Sequence, residues 1–404
     1  MFAKTTFSLP KDILPDPLIE ILSLFTHMTE NIDELDLEES NPPAAAVPAE
    51  EQRRRMYVGL DLGTLHSCVV TELTKPGSDE VVGELFPTVV GYPEDGILAG
   101  ILPGESSMLH GDEAIANQLH LRLVYPLGDG VVKDIEATRS FLNYLREKID
   151  PNRNLDVLCV IGTPAVADAE AKENLKMAAK GAFDGVLFIP EPFLAALGMR
   201  DESRLGNPDY QDPVSNSLFV DIGAGTTDFC IVQGYFPKPE DLMSIPFAGN
   251  EVDVILDQAI REAYPDVDVP LSMIREFKES FAYVGEAESG VRVKVPVEGK
   301  PRKIEIGKQV GGACNQLLQE IFETIKKVIA VASPQSVFSL LQNIVLTGGG
   351  SRIRNIDQEL QRLLLDDGYE DPEVLVSARE IKPFVAIGAM KVAQAAREDQ
   401  WVRL

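Results

Sequence analysis

Short apolar runs alternate with stretches of helical spacing along most of this chain. The runs that predict strands are Met56–Leu60, His66–Leu73, Leu155–Gly162, Val186–Ile189, Ser217–Val220, Asp228–Gln233 and Leu341–Leu346. Apolar residues at helical spacing predict helices over Ala167–Gly181 and near Ile356–Leu365. Strands that alternate with helices are typical of α/β layers. Because 404 residues exceed what one ordinary core holds, we expect two α/β domains.

The N-terminal extension, residues 1–55, does not share this pattern. Glu30–Glu51 is acidic, rich in proline and alanine and poor in large apolar side chains. It cannot bury enough surface to offset its ordering entropy, so we expect a largely disordered linker. Ile13–Phe25 has the spacing of a short amphipathic helix, which fits either a floppy tail or a helix that docks on a partner or on this chain. Acidic residues interrupt and follow its apolar patch, unlike a signal peptide.

Composition and charge narrow the range of partners and compartments. A net charge of −27 repels nucleic acid, which proteins bind through clustered Lys and Arg, so we expect no direct nucleic-acid partner. No apolar run reaches the roughly 18 residues of a membrane span, so we expect no transmembrane segment. The four cysteines are far apart and form no CxxC pair, which indicates buried free thiols in a reduced, cytoplasmic protein.

An approximate internal repeat is the most informative feature of the sequence. Its two copies are Tyr57–Thr64 and Leu218–Asp228. Each copy is an apolar strand that ends in aspartate, followed by glycine and threonine and then by a second strand. The two aspartates, Asp61 and Asp221, are 160 residues apart, which is about the length of one domain.

The chemistry of this repeat indicates a phosphate clamp. Glycine lets backbone N–H groups approach a phosphate without interference from a Cβ, and threonine hydroxyls add donors. An aspartate at a strand end can hold the water shell of Mg²⁺, so we expect Asp61 and Asp221 to serve a magnesium ion. Two such hairpins facing each other would hold a triphosphate from both sides. The expected phosphate-binding residues are Gly63, Thr64, Leu65, Gly223, Gly225, Thr226 and Thr227.

Other interpretations of these glycines fit the sequence less well. Gly223–Asp228 lacks the third glycine of a dinucleotide fingerprint, and a strand rather than a helix follows it. The chain has no GxxxxGK[ST] motif, which excludes a P-loop protein. A single Asp-x-Gly-Thr turn fits an ordinary hairpin, but two copies at domain spacing favour the phosphate clamp.

Two further segments supply candidate residues. The first is a glycine run between a predicted strand and a predicted helix, whose backbone can lie against a flat base or a ribose: Gly348, Gly349, Gly350 and Ser351. The second is Glu191, which follows a strand and precedes Pro192, a residue that fits the first turn of a helix. A carboxylate there can orient a water on a γ-phosphate, because phosphoryl transfer chiefly needs positioning. A simple helix cap is the alternative for Glu191.

Five segments occur in the order typical of the superfamily of actin, Hsp70 and sugar kinases, which this chain resembles. They are Met56–Thr64 and Phe219–Asp228 for the phosphates, Ile344–Arg352 for adenosine, and Glu191–Gly198 and Ile387–Ala395 for the two connecting helices. The resemblance implies an α/β, two-domain actin-like (ribonuclease H-like) ATPase fold, with ATP or ADP and Mg²⁺ in the interdomain cleft. It implies a domain I of residues 56–200 with 380–404, and a domain II of residues 201–379 with an insertion near 250–306.

Within this superfamily the actin branch fits best. Tyr125–Val132 resembles the segment that leads into the first helix of domain I. Arg275–Val284 resembles the helix that contacts adenosine, which implies this contact for Lys278 and Glu279. Several phrases, such as Phe281–Gly285, are similar to the bacterial actins that form filaments along magnetosome chains.

The resemblance to these bacterial actins also implies catalytic roles. The residue that matches Glu191 supports hydrolysis, and the residue that matches Asp221 serves magnesium and nucleotide. Two departures stand out. The 55-residue extension is not a usual part of these actins, and Leu65 follows the first Gly-Thr where a small residue is common.

Three hypotheses for the function follow from these observations. The favoured one is a cytoplasmic, filament-forming ATPase that assembles with copies of itself and positions an organelle, with magnetosomes and organelle-associated adaptor proteins as expected partners. The second is a cell-shape or DNA-segregation actin. The third is a non-polymerising kinase or chaperone-type ATPase, although the chain offers no identifiable sugar site, and an Hsp70 would need a further peptide-binding domain.

Overall fold

The computed structural model describes residues 5–8, 54–72, 80–103, 108–377 and 384–404. The predicted linker Glu30–Glu51 and the predicted helix Ile13–Phe25 lie outside these residues. The strands are β1 (Thr5–Ser8), β2 (Arg54–Leu62), β3 (His66–Glu72), β4 (Glu80–Pro87), β5 (Val90–Pro93), β6 (Leu109–His110), β7 (Leu121–Val124), β8 (Leu127–Gly128), β9 (Val131–Val132), β10 (Leu155–Thr163), β11 (Gly185–Pro190), β12 (Ser217–Ile222), β13 (Thr227–Val232), β14 (Leu242–Ile245), β15 (Arg292–Val297), β16 (Lys300–Glu305), β17 (Ile344–Thr347), β18 (Val374–Val376) and β19 (Val402–Arg403).

Among the α-helices of the described residues, two begin with an aspartate that caps the first turn. The helices are α1 (Gly111–Ala116), α2 (Ile135–Ile149), α3 (Ala169–Ala179), α4 (Glu191–Met199), α5 (Gly249–Ala263), α6 (Leu271–Phe281), α7 (Gly307–Val331), α8 (Val337–Leu341), α9 (Ile356–Asp366) and α10 (Phe384–Ala395). The side chain of Asp134 accepts the N–H of Ala137 at the start of α2, and Asp168 caps α3 in the same way. No helix of the described residues is long and apolar enough to cross a membrane.

The two large sheets are built on the same local plan. The first has the strand order β1-β4-β3-β2-β10-β11-β19, and the second has the order β14-β13-β12-β17-β18. In the first, β2 pairs antiparallel with β3 and parallel with β10. In the second, β12 pairs antiparallel with β13 and parallel with β17. The internal repeat therefore folds into two equivalent hairpins, β2–β3 and β12–β13, each at the centre of its own sheet.

Helices α4 and α10 lie between the two sheets. One buried cluster combines Leu158 of β10, Phe219 of β12, Phe193 of α4 and Ala389 of α10. The two helices cross at very close range, because a Cβ on Gly388 would overlap the carbonyl oxygen of Leu194. These are the two segments expected to form connecting helices, and their packing couples one sheet to the other.

Smaller elements extend from both sheets. β6, β5 and β7 form a three-stranded sheet between residues 90 and 124, which the sequence pattern did not predict. Within the expected insertion near 250–306, α5 and α6 are followed by the hairpin β15–β16. The predicted strand Leu341–Leu346 is wrong at its start, because α8 includes Leu341 and β17 begins only at Ile344. An apolar run of this length fits the end of a helix as well as a strand.

Part of the N-terminal extension belongs to the first sheet. Thr5–Ser8 forms β1, which pairs antiparallel with β4, so β1 and β19 are the outer strands of this sheet. β2 already begins at Arg54. Arg55 forms ion pairs with Asp156 at 3.2 Å and with Glu398 at 2.8 Å, which joins the start of β2 to the C-terminal residues.

Candidate active site

The turns of the two repeat hairpins meet at a third turn between β8 and β9. The hydroxyl oxygen of Thr64, in the first hairpin, accepts the N–H of Gly130 at 3.2 Å. In the second hairpin, a Cβ on Gly225 would lie 2.6 Å from the Cα of Asp129 and 3.2 Å from the hydroxyl of Thr64. Only glycine fits at position 225, since any side chain there would displace the backbone of Asp129. The structure therefore brings the predicted residues Gly63, Thr64, Gly225 and Thr226 to one place.

The second hairpin turn is held by backbone bonds. The N–H of Gly223 donates to the carbonyl of Thr226 at 2.9 Å within the turn. The first residues of α5 then hold the turn from outside: Gly249 N–H donates to Gly223 O at 3.1 Å, and Asn250 N–H donates to Ala224 O at 2.7 Å. Its shape thus depends on where α5 begins.

Acidic side chains collect beneath the two turns. Burial and the charge of Asp221 raise the pKa of Asp61 to about 7. Burial and the charge of Asp228 raise the pKa of Asp221 to about 6, against a lowering effect of the Thr347 hydrogen bond. Because these carboxylates repel one another in a desolvated place, the site favours a cation or a proton among them.

Glu191 is part of the same acidic group. It is the first residue of α4, directly after β11, and Pro190 and Pro192 flank it. Its side chain lies beside Gly162 at the end of β10, where an added Cβ would be 2.9 Å from the Glu191 Cγ. Burial first, and then the charges of Asp61, Asp221 and Asp228, raise the pKa of Glu191 well above its ordinary value. A raised pKa makes a carboxylate a stronger base when it is ionised, which suits a group that accepts a proton from water.

Two threonine hydroxyls of the second hairpin are bound within the protein. Thr226 donates to the Asp228 carboxylate at 2.7 Å. Thr227 is fully buried and donates to the carbonyl of Phe247 at 2.8 Å. The Thr227 hydroxyl is therefore not brought to the site. The other oxygen of Asp228 accepts the N–H of Ala165 at 3.0 Å, which ties this hairpin to the loop after β10.

The third glycine run packs against the end of β12. Gly348 has a φ of 76°, and a Cβ there would overlap the Asp221 carboxylate. The Ser351 hydroxyl donates to the Gly348 carbonyl at 2.7 Å and so closes this turn. Gly349, in contrast, faces open space, since an added Cβ would have no neighbour within 4 Å. Gly349 is exposed, so its backbone is accessible to a ligand.

Helix α6 packs against α5, next to the second hairpin turn. Lys278 is bound within the protein, with its ammonium 2.7 Å from the Asp253 carboxylate and 2.7 Å from the Gly249 carbonyl. Glu279 is exposed. Burial lowers the pKa of His66 beside the first hairpin turn, while the charge of Glu279 on α6 raises it and that of Arg275 lowers it. Leu65 is part-buried in the turn, and its carbonyl accepts the N–H of Thr88 at 2.9 Å.

The acidic group fits a magnesium ion held through its water shell. No three His, Cys, Asp or Glu side chains of the described residues converge to coordinate a metal directly. Mg²⁺ keeps several of its waters and is commonly held by one or two carboxylates together with phosphates. Asp61 and Asp221 fit this requirement: burial first, and then the charge of a neighbouring carboxylate, raises the pKa of each, so a cation held near them through its waters would be favoured.

Three residues of this site were not predicted as site residues. Asp129 and Gly130 form the turn that joins both hairpins, and both have positive φ angles, of 52° and 72°. Asp-Gly is a common turn pair, so the sequence signal was present but not specific. Asp228 closes the second copy of the repeat, and its place beneath the turn follows from its pairing with Asp221 across β12 and β13.

Two hairpin turns that meet at a third turn, with acids beneath them and two crossing helices between the sheets, define the actin-like class of ATPases. Residues 55–398 match the family model described as MreB/Mbl protein. The chain is 32% identical over 360 residues to the actin-like protein MamK of Magnetospirillum gryphiswaldense, covering 88% of this chain and 93% of that protein. The chain belongs to the MreB/Mbl family of actin-like proteins.

Solved structures lead to the same class. A MamK double helical filament matches with a TM-score of 0.75 and 33% identity, covering 84% of this chain and 99% of that one. A non-polymerising mutant of MamK bound to AMPPNP matches with a TM-score of 0.60 and 32% identity, covering 85% and 99%. The expected actin-like α/β fold is therefore confirmed.

Proposed function

We propose that this chain binds Mg-ATP between its two hairpin turns, hydrolyses it, and assembles with copies of itself into filaments. The observation that carries the proposal is the meeting of the two hairpins, in which Thr64 bonds to Gly130 while Gly225 packs against Asp129. The hairpins belong to different sheets. A triphosphate held by both would therefore contact both halves of the molecule, and loss of its γ-phosphate would change the contacts to each half.

The expected roles divide among the residues of the site. The turn amides of residues 63–65 and 224–226 would bind the phosphates, with Gly223 shaping the turn through its bond to Thr226, and Asp61 and Asp221 would hold the water shell of magnesium. Bound Mg²⁺ neutralises charge on the phosphates and on these carboxylates. Glu191 would accept a hydrogen bond from the attacking water and orient it toward the γ-phosphate. The open face of Gly349, with the nearby glycines and α6, would hold the adenosine.

Hydrolysis would change the assembly through the cleft. With ATP bound, contacts from both hairpins to the γ-phosphate favour the closed arrangement of the two halves, which is the arrangement that assembles. Loss of the γ-phosphate removes part of those contacts, so the population shifts toward an open, depolymerising state. Head-to-tail contacts that do not close give an open filament.

The proposed cargo is supported by the resemblance to the bacterial actins that form filaments along magnetosome chains. MamK, to which much of this chain is similar, is named for its actin-like character, and one of its solved forms is a filament. We therefore propose a cytoplasmic filament that positions magnetosomes through adaptor proteins. The domain limits proposed are 56–200 with 380–404 and 201–379, with the insertion near 250–306.

Sedimentation tests the assembly. Purified protein is centrifuged at high speed with Mg-ATP, with Mg-ADP and without nucleotide. We expect a pellet with Mg-ATP that redissolves as ATP is consumed, and little pellet in the other two samples. Binding of ATP without a pellet under any condition would instead identify a non-polymerising ATPase.

A further inference from the structure

Asp253 is a fully buried carboxylate in the second turn of α5, with 0% of its side chain exposed. Two cations of α6 neutralise it: Arg275 Nε lies 3.0 Å from one oxygen, and Lys278 Nζ lies 2.7 Å from the other. We call these three residues the α5–α6 clamp. A buried charge is tolerated when it is paired in this way, and removal of one partner leaves the other uncompensated.

The clamp also holds the first turn of α5. Lys278 donates to the carbonyl of Gly249 at 2.7 Å, and Arg275 Nη2 donates to the Asn250 side chain at 3.4 Å. Cations near a helix N-terminus oppose the helix dipole, so this arrangement does not serve the stability of α5 by itself. It ties the first residues of α5, Gly249 and Asn250, to α6.

The start of α5 is what holds the second hairpin turn. Gly249 and Asn250, which the clamp contacts, donate their N–H groups to the carbonyls of Gly223 and Ala224 at 3.1 and 2.7 Å. An unbroken series of hydrogen bonds thus runs from Lys278 through Gly249 to the turn of residues 223–226. Each step is a direct contact of 3.1 Å or less.

We propose that the α5–α6 clamp positions the second hairpin turn, and that Lys278 serves this turn through Gly249 and Asp253. Lys278 is therefore a positioning residue for phosphate binding, whatever contact it makes with adenosine. This inference rests on the proposed function only in assigning the phosphates to the turn. The clamp links α6, which carries Glu279, to the turn that would hold the phosphates.

Hydrogen exchange of the nucleotide-free protein tests the clamp directly. In Lys278→Met, amides in peptides covering 221–228 and 249–254 should exchange about tenfold faster or more, because exchange reports the local opening equilibrium. Lys278→Arg keeps the charge and should restore most of the protection. Asp257→Asn is the matched control, because it breaks a surface ion pair with Arg261 on the same helix and should leave both peptides unchanged.

The outcomes separate the clamp from the nucleotide. Unchanged exchange at 221–228 in Lys278→Met would overturn the clamp, and so would equally fast exchange in Lys278→Arg. If Lys278→Met does not fold, Arg275→Met decides in the same way, since it removes only the part-exposed partner and should raise exchange at 221–228 to a smaller degree. Wild type that gains no protection at 221–228 from Mg-AMPPNP would contradict the proposed function and leave the clamp standing.

Steady-state kinetics of ATP hydrolysis test the positioning role of Lys278 independently of hydrogen exchange. Lys278→Met should raise the KM for Mg-ATP and lower kcat together, because a misplaced turn weakens both binding and transition-state contacts. Recovery of both in Lys278→Arg supports positioning by charge. A change in KM with kcat unaltered would indicate a binding contact alone and would contradict the positioning role.

Discussion

Thr347, at the end of β17, donates a hydrogen bond of 3.0 Å to the carboxylate of Asp221, at the end of the adjacent strand β12. The bond stabilises the charged carboxylate and so lowers the pKa of Asp221, while burial and Asp228 raise that pKa to about 6 overall. Thr347→Val removes the hydroxyl with little change of shape. The pKa of Asp221 should then rise further.

The pH profile of hydrolysis should report this change. Asp221 must be ionised to serve magnesium, so activity falls as the pH falls through its pKa. In Thr347→Val the acidic limb of the profile of kcat/KM should move to higher pH, with a larger loss of activity at pH 6 than at pH 8. A uniform loss at every pH would mean that Thr347 acts only on packing.

Asp61 should make the nucleotide-free protein less stable as the pH rises. Its pKa is about 7 in the folded chain, against an ordinary value of 3.8. Between these values the folded state binds more protons than the unfolded state, so the free energy of unfolding falls as the pH rises from about 4 to about 7. Urea titrations without Mg²⁺ or nucleotide should show this fall in wild type and a smaller fall in Asp61→Asn. An equal fall in both proteins would contradict this role of Asp61 and assign the effect to other groups, such as Asp221 and Glu191, whose pKa values are also raised.

Much of the fold could be predicted because its signals are local. The apolar runs before Asp61 and Asp221 are buried strands, and the glycines after them mark turns that few other residues can form. The start of α4 at Glu191 follows from Pro192 in its first turn. These features depend on neighbours along the chain, which a sequence displays directly.

The rest depends on contacts between distant segments. The pairing of Lys278 with Asp253 joins two helices, and nothing local distinguishes this lysine from one that faces solvent. The sheet formed by β5, β6 and β7 has strands of two to four residues, too short for an alternating pattern to be recognised. The Asp129–Gly130 turn acquires its role only where both hairpins meet it.

The crossing of α4 and α10 should tolerate no added methyl group. A Cβ on Gly388 would overlap the carbonyl of Leu194, so Gly388→Ala must separate the helices. We expect a loss of about 1–3 kcal/mol in the free energy of unfolding, as for overpacked cores. Gly312→Ala in α7 is the control, because an added Cβ there has no neighbour within 4 Å; it should be neutral or stabilise by about 0.5–1 kcal/mol. Equal effects of the two changes in urea unfolding would contradict this account of the crossing.

Lys391 should stabilise the same helix pair from the other end. Its side chain is only 8% exposed, and its ammonium lies 2.9 Å from the Leu197 carbonyl, 2.8 Å from that of Arg200 and 2.9 Å from the Glu202 carboxylate. Lys391→Met leaves these acceptors at the end of α4 without their cation. Unfolding should become easier by about 2–3 kcal/mol.

A surface lysine provides the comparison for Lys391. Lys176 pairs with Glu173 at 3.4 Å, and both side chains are well exposed. Lys176→Met should cost less than about 1 kcal/mol, as exposed ion pairs do. A cost for Lys391→Met as small as this would show that the buried ammonium contributes little to holding α10 on α4.

Glu191 carries the central claim, that hydrolysis in the cleft controls assembly. Phosphate release and light scattering are recorded in one cuvette after addition of Mg-ATP to wild type and to Glu191→Gln, which keeps the size of the side chain and removes its basicity. In wild type, scattering should rise and then fall as phosphate appears. In Glu191→Gln, phosphate release should slow by about 10²-fold or more, and the scattering should rise and persist. Phosphate release at the wild-type rate from Glu191→Gln, with the same rise and fall of scattering, would contradict the account.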